Sequence, residues 1–431
     1  MELSNIVDLL WVIIAGILVF FMQAGFTLLE AGFTRAKNTA NIAMKNIVDL
    51  FIGAIAFWAI GYSLMYGNTI SGFLGEITPF YIEPGDMHNL FYQTVFCATA
   101  ATIVSGAIAE RAKFSTYVVF TLAFTTFIYP VAGHWIWQSD GWLAQMGFVD
   151  FAGSTAVHVM GGFAGLIYAW LLGARYGKYS KDGKVNNING HSKLFAVLGV
   201  FILWMGWFGF NAGSTLAITG ESAIKVPLII LNTNLSAAGG GIIALIIAWI
   251  KYKKADISVT LNGTLAGLVG VTAGCSVVEP TGAILIGLIC GVMATVGSEL
   301  VEKVLKIDDA VSSFSVHGIA GIFGTLLVGF FSAENGVFYG GGFEQLKVQA
   351  IGTFSVALWA IVISLLLVGI LKYTLGIRVP VAHEIAGLDN TEHDIYFDNE
   401  TEATATEDML VKEKNTVAKK VIEEVKTESN I

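Results

Sequence analysis

The sequence predicts an all-α membrane protein. Eleven transmembrane helices are expected, arranged as an inverted 5+5 repeat plus one extra helix, with the N-terminus outside and the C-terminus inside. Three observations lead there: an apolar composition, an alternation of basic residues along the chain, and two matched segments that each carry a histidine.

Composition comes first. Of 431 residues, 55% are hydrophobic and 13% charged, where a soluble domain carries about 25% charged residues. The mean hydropathy is +0.69. The 49 glycines against 6 prolines suit close helix contacts in lipid. The net charge of −9 belongs mostly to the tail, because residues 381–431 hold 13 acids and 5 lysines. The acidity therefore describes a tail and says nothing about a substrate, and nothing points to nucleic acid. Cys97, Cys275 and Cys290 sit in apolar stretches with no CxxC spacing, which implies buried thiols and neither a disulfide framework nor a metal site. The start lacks a basic n-region and Asp8 interrupts it, so the first run is expected to be a retained helix.

Apolar runs of spanning length lie near 7–32, 46–66, 91–110, 115–136, 152–174, 192–213, 223–250, 257–276, 281–303, 311–331 and 347–372. Each is expected to be a helix, since backbone in lipid must satisfy its own hydrogen bonds. The connectors then alternate in charge. Of the 24 basic residues, all but Lys225 and Lys347 fall on one side of this arrangement. The positive-inside rule places that side in the cytoplasm. Two parts follow, a transmembrane domain over 1–380 and an acidic cytoplasmic tail over 381–431. The tail is expected to be largely disordered for want of apolar residues, with Val417, Val421, Ile422 and Val425 able to form a short helix on a partner.

The matched segments read Asp150…Val157-His158-x-x-x-Gly162-x-x-Gly165 and Asp309…Val316-His317-x-x-x-Gly321-x-x-Gly324. Both begin a span, and the two spans start on opposite faces. This is the mark of an inverted repeat, whose interface near the midplane often holds a transport path. Each histidine lies about six residues into its helix, roughly 10 Å into a core about 30 Å thick. A buried ionisable group there marks a pathway or relay by default. A neutral histidine that merely bonds a neighbouring helix is the plainer alternative for one such residue, and the pairing favours function. In a dry site the uncharged imidazole is favoured, which suits a neutral, hydrogen-bonding species.

Other residues carry weaker signals. Trp135, Trp137 and Trp142 cluster at the outer end of the fourth span, and Trp207, Phe208 and Phe210 lie toward the outer half of the sixth. Such rings are interfacial belt or packing, or a cation–π face worth roughly 0.5–2 kcal/mol. Asp150, at the start of the fifth span, fits an N-cap better than a cation ligand. Walker A, GxSxG, HExxH and dinucleotide motifs are missing, so neither an enzyme nor a self-contained ATP-driven pump is expected.

Several stretches resemble one family. They are MQAGFTLLEAGFTRAKN at 22–38, SGAIAERAKFS at 105–115, DFAGSTAVHVMGG at 150–162, WMGWFGFNAGS at 204–214, LAGLVGVTAG at 265–274 and VHGIAGIFG at 316–324. Together they resemble the Amt/MEP ammonium transporters, over residues 1 to about 390. The resemblance implies a multi-pass protein of the cell membrane that serves nitrogen assimilation. It also implies a homotrimer with one pore per subunit and methylammonium as a substrate analogue. It assigns Trp137, Tyr92 and Ser214 to an outer recruitment site, with Trp207 in the aromatic packing around it. Phe96 and Phe210 match the stacked gate, His158 and His317 the pore pair, and Asp150 a structural carboxylate. No cofactor is implied. A PII-type regulatory protein at the cytoplasmic face is a possible partner of the family.

Two departures stand out. The family's DxFxVHG pattern is here Ser312-Ser313-Phe314-Ser315-Val316-His317-Gly318, and the tail reads His393-Asp394-Ile395-Tyr396 in place of an HGExAY end. The sequence leaves three rival functions. A Rh-type channel is disfavoured by Trp137 and Ser214. An ammonium sensor acting through the tail and a sodium-coupled transporter are the other two.

Overall fold

The computed structural model describes residues 2–82 and 85–396. Among the described residues ten helices are long and apolar enough to cross a membrane, and Ile257–Val271 is a shorter apolar one. In chain order they are α1 (Leu3–Phe33), α2 (Ala36–Tyr66), α3 (Met87–Ala107), α4 (114–137), α5 (Ser154–Leu172) and α6 (Lys193–Gly213). Then come α7 (Ser222–Tyr252), α8 (Ile257–Val271), α9 (Pro280–Val304), α10 (Phe314–Phe331) and α11 (Glu344–Thr374). Local chemistry sets several starts. Ser192 caps α6 by accepting from the Phe195 amide at 3.3 Å, and Asp256 caps α8 by accepting from the Val259 amide at 3.1 Å. Pro280 opens α9, where its missing N–H costs nothing.

The apolar runs and the helices agree closely except at α2. Hydropathy starts this span at residue 46, whereas the helix starts ten residues earlier. The cause is a set of polar side chains on the early turns, Asn38, Asn41, Lys45, Asn46 and Asp49, all at most 1% exposed. Asp49 accepts from Tyr117 Oη at 2.7 Å, Thr121 Oγ1 at 3.0 Å and Thr102 Oγ1 at 3.1 Å. These residues are polar yet face other helices, so an apolar window passes over them.

The basic connectors meet on one face. Arg35 donates from Nε to Glu110 Oε2 at 2.6 Å. Arg175 reaches Glu110 at 3.6 Å and grips Asp308 with Nε and Nη2, each at 2.8 Å. Arg378 pairs with Glu384 at 2.6 Å, and Lys178 pairs with Glu302. Burial would raise the Asp308 carboxyl, but Arg111 and Arg175 hold it below its ordinary range. Burial would raise Glu110 as well, and Arg175 with Arg35 overcomes that. Burial pushes Arg111 down to about 10, which leaves it charged at neutral pH.

The first part of the tail departs from the expected disorder. Residues 381–396 fold onto this same face as α12 (Val381–Ala386) and α13 (Leu388–His393). Leu388 and Asp389 are fully buried. Asp389 accepts from the amides of Ala40 and Asn41 at 3.0 and 2.8 Å, supplying the first α-helical turn of α2 with a carboxylate from 349 residues away in sequence and satisfying its orphan amides. Asn38 Oδ1 accepts from the Leu388 amide at 3.0 Å, and Glu392 accepts from Phe114 N at 3.1 Å. The suggested helix around Val417–Val425 lies outside the described residues.

Candidate functional site

The site is built on two segments of like construction. Asp150 accepts amide bonds from Gly153 at 3.1 Å, Thr155 at 2.9 Å and Ala156 at 2.8 Å. Asp309 accepts from Ser313 at 2.9 Å and Phe314 at 2.7 Å. Each carboxylate thus caps the helix that follows. Burial pushes the Asp150 carboxyl up to about 6 against the pull of its amide bonds, and the same balance puts Asp309 at about 6. Three residues after each acid the backbone is left-handed, at Gly153 with φ 106° and at Ser312 with φ 62°. Ser312 therefore occupies the turn position that glycine fills in the other segment. A non-glycine residue there carries a strain of roughly 1–2 kcal/mol.

Both helices open with one π-helical stretch, Ser154–Val159 and Phe314–Ile319. Such widened turns often accompany functional sites, and each of these holds its histidine. Glycines then let the segments touch. A Cβ on Gly162 would lie 2.4 Å from the amide nitrogen of Gly318, and one on Gly321 would lie 2.6 Å from the carbonyl of Ser154. The contact brings His158 Nδ1 within 3.2 Å of His317 Nδ1, with ring centroids 5.2 Å apart and planes 24° from parallel.

Two nitrogens at this distance share one proton, so one ring donates while the other accepts. Neither Nε2 bonds another protein group among the described residues, and the Nε2 of His158 is buried without a partner. The pair therefore leaves its outer nitrogens open to a further hydrogen-bonding group.

A column of rings leads to the pair. Trp137 meets Phe96 at 6.1 Å, edge-on. Phe96 and Phe210 stack at 3.9 Å and 14°, and both are at most 1% exposed. Phe210 lies 5.7 Å from His158, and His317 lies 6.2 Å from Phe26 beyond it. Trp137 Nε1 donates to the Asp150 carbonyl at 2.8 Å, so the capping loop also fixes this indole. Ser214 Oγ donates to the Phe210 carbonyl at 2.9 Å. Its lone pairs remain for another donor. Tyr92 Oη donates to that same carbonyl at 2.8 Å and lies 3.3 Å from Ser214 Oγ. Its ring sits 4.7 Å from Phe96.

Trp207 is fully buried, where it packs against Phe210 at 5.7 Å and stacks on His158 at 5.1 Å and 21°, with Nε1 donating to Thr272 Oγ1 at 2.9 Å. Residue counting gives depth along α6 but not the side on which an indole of this size lies. Trp135, by contrast, packs with Trp142 at 5.8 Å and Trp359 at 5.4 Å.

Gln349 and Thr272 were not singled out from the sequence. Gln349, fully buried on α11, accepts from Val149 N at 2.8 Å and donates to its carbonyl at 2.7 Å, bracing the residue before Asp150. Lone polar residues in apolar runs give no sequence signal for such tasks.

The family model of the Ammonium Transporter Family matches residues 10–396. The chain is 44% identical over 415 residues to ammonium transporter Amt2 of Archaeoglobus fulgidus, covering 90% of this chain and 87% of that one. It is 38% identical over 405 residues to ammonium transporter 3 of Dictyostelium discoideum, covering 91% and 94%. Among solved structures, one titled Sensor Amt Protein superposes with a TM-score of 0.85 at 39% identity, over 90% of this chain and 99% of that one. Candida albicans Mep2 superposes at 0.79 and 28% identity, over 88% of each. By sequence over nearly its whole described length, and by fold, this chain belongs to the Ammonium Transporter Family.

Proposed function

We propose that this protein carries ammonium across the cell membrane by separating it into ammonia and a proton. Its N-terminus lies outside and its eleven helices form an inverted repeat of two five-helix halves plus α11. The observation that carries this is the unbroken column from Trp137 through Phe96 and Phe210 to the joined pair His158–His317.

Ammonium is recruited outside at the Trp137 and Tyr92 rings, with Ser214 Oγ accepting one of its four N–H bonds. The ring faces attract a cation by roughly 0.5–2 kcal/mol. The stacked phenyls then exclude hydrated ions, since they offer nothing to replace lost water and an uncompensated buried charge is very costly. Deprotonation leaves ammonia, which fits between the rings as a neutral species and bonds the free histidine nitrogens on its way. The proton crosses by its own route, so uptake is electrogenic. The exposed apolar faces of α7 and α11, with Ile250, Leu358 and Ile370 about 60% or more exposed, suit lipid and the neighbours in a homotrimer. The folded basic face suits a cytoplasmic PII-type regulator.

Methylammonium uptake by cells lacking their own transporter tests this. Trp137→Leu is expected to weaken affinity and His158→Ala to stop conduction. Unchanged uptake in both variants refutes the assignment, and the lack of any ammonium-dependent current would make the protein a neutral ammonia channel.

Sensing is the second reading, favoured by the likeness to a structure titled Sensor Amt Protein. It predicts that an ammonium response persists when transport is blocked at His158.

A further inference from the structure

Below the histidine pair, on the side of the basic face, lies a small chamber of about 20 Å³ bordered by Phe26, Glu30, Asn262, Ser313 and His317. A space of about 10–15 Å³ holds one water, so this chamber takes one molecule of the size of water or ammonia. It shares Asn262 and Val311 with a wider cavity of about 190 Å³ bordered by Arg175, Lys178 and Asp309 on the basic face.

Glu30 is the unexpected member of this wall. It sits one helical turn after Phe26 on α1 and is 2% exposed. Its Oε2 accepts from Ser105 Oγ at 2.9 Å and from Asn46 Nδ2 at 3.3 Å. Its Oε1 has no hydrogen bond to another protein group among the described residues. A carboxylate buried only to brace helices has its oxygens paired. An ionisable group buried in the last turn of a spanning helix, with an oxygen left open beside a chamber that it borders, points to traffic of protons or ions.

The neighbours fit proton transfer better than cation storage. Lys45, 1% exposed, donates to the Ser105 carbonyl at 3.0 Å and stands over the Tyr117 ring at 5.4 Å. Asp49 lies on the same helix, bonded to Tyr117. Lys45 and Asp49 on α2, Tyr117 on α4 and His317 on α10 are the titratable groups around Glu30. The Lys45 ammonium already supplies a cation to this layer, so a second resident cation is disfavoured.

Resting on the pore proposed above, we propose that Glu30 is a proton-transfer residue of the inner chamber. The Glu30 carboxyl gives its proton to ammonia that has passed His317, leaving carboxylate and ammonium. Ammonium departs through the wider cavity. Hydronium arriving by the same cavity returns a proton to the carboxylate and leaves water. The proton that crosses the membrane by its own route replenishes that pool.

The test uses the full chain in proteoliposomes, with ammonium-driven transport read across lumen pH 6 to 8 (about one unit either side of neutrality). Rates are normalised to folded protein. Glu30→Gln keeps the shape and loses the exchangeable proton. Its rate is expected to fall roughly 10²-fold, the lower end of what a positioned acid contributes, with a flattened pH profile. Glu30→Asp retains the acid but withdraws it from the chamber, and about a tenfold loss with the profile kept is expected. The ammonium concentration for half-maximal rate should be unchanged in both, because recruitment lies beyond the phenyl gate.

A wild-type rate and profile in Glu30→Gln overturns the proposal. Should that variant not fold, a wild-type rate in Glu30→Asp overturns it instead. His158→Ala is run beside them. If it too transports normally, the pore itself is wrong. If it is silent while Glu30→Gln is normal, only the inner step fails.

Discussion

Arg175 holds the basic face together, and its removal has a size that follows from the structure. The side chain is 2% exposed and lies between Asp308, 1% exposed, and Glu110, fully buried. Arg175→Met removes two 2.8 Å bonds from Asp308 and the 3.6 Å contact with Glu110. Asp308 keeps the bond from the Arg175 amide at 2.9 Å, and Glu110 keeps Arg35. Losing one partner of a buried pair costs about 3–5 kcal/mol. Arg175→Lys keeps a charge but not the two-pronged grip, and about 1.5–3 kcal/mol is expected, the worth of one charged hydrogen bond. Arg175→Met with Asp308→Leu removes both charges and should recover much of the loss.

Unfolding of the purified protein in mixed micelles measures these differences. Acid adds a check with a definite sign. Asp308 is held below its ordinary value of 3.8, so the advantage of the paired form is complete above about pH 4 and is lost as pH falls toward the folded value. A loss under about 1 kcal/mol for Arg175→Met, or a double variant no better than the single one, would refute the reasoning about this cluster.

Three further outcomes are expected. Asp150 carries its charge above about pH 6 and loses it below. Ammonium affinity on the Trp137 side should therefore weaken as pH falls through that value, and binding measured on Asp150→Asn should show no such inflection. Thr272→Val leaves the Trp207 indole N–H buried without an acceptor, at a cost of about 1–3 kcal/mol, and the looser ring beside His158 should slow uptake. Asp389→Ala removes the carboxylate at the start of α2. A loss of about 1–2 kcal/mol is expected, together with faster protease cleavage between residues 381 and 396.

How far the sequence alone reached depends on which force was at work. Partition into lipid averages over some twenty residues, so the spans came out nearly as the helices stand. The pair His158 and His317 was visible because one spacing occurs twice. Contacts between helices left no such trace. Asn38 through Asp49 look like water-facing residues until their partners on neighbouring helices are known. Composition over the whole tail hid the short part where Leu388 and Asp389 are buried. Ser312 stands where the family pattern has Asp, yet in the fold the position is a question of backbone, since the residue takes the left-handed turn and Asp309 does the capping. Glu30 stands inside a recognised stretch, and nothing in one dimension shows that this residue borders a chamber.

The meeting of Gly162 with Gly318 has a consequence for inheritance. A methyl group at residue 162 would press on the backbone beside His317, and one at residue 321 would press on the turn that leads to His158. A change in either segment is thus felt first by the histidine of the other. The two halves are thus tied to a common fate by clearances of 2.4 and 2.6 Å, too small for a single added methyl.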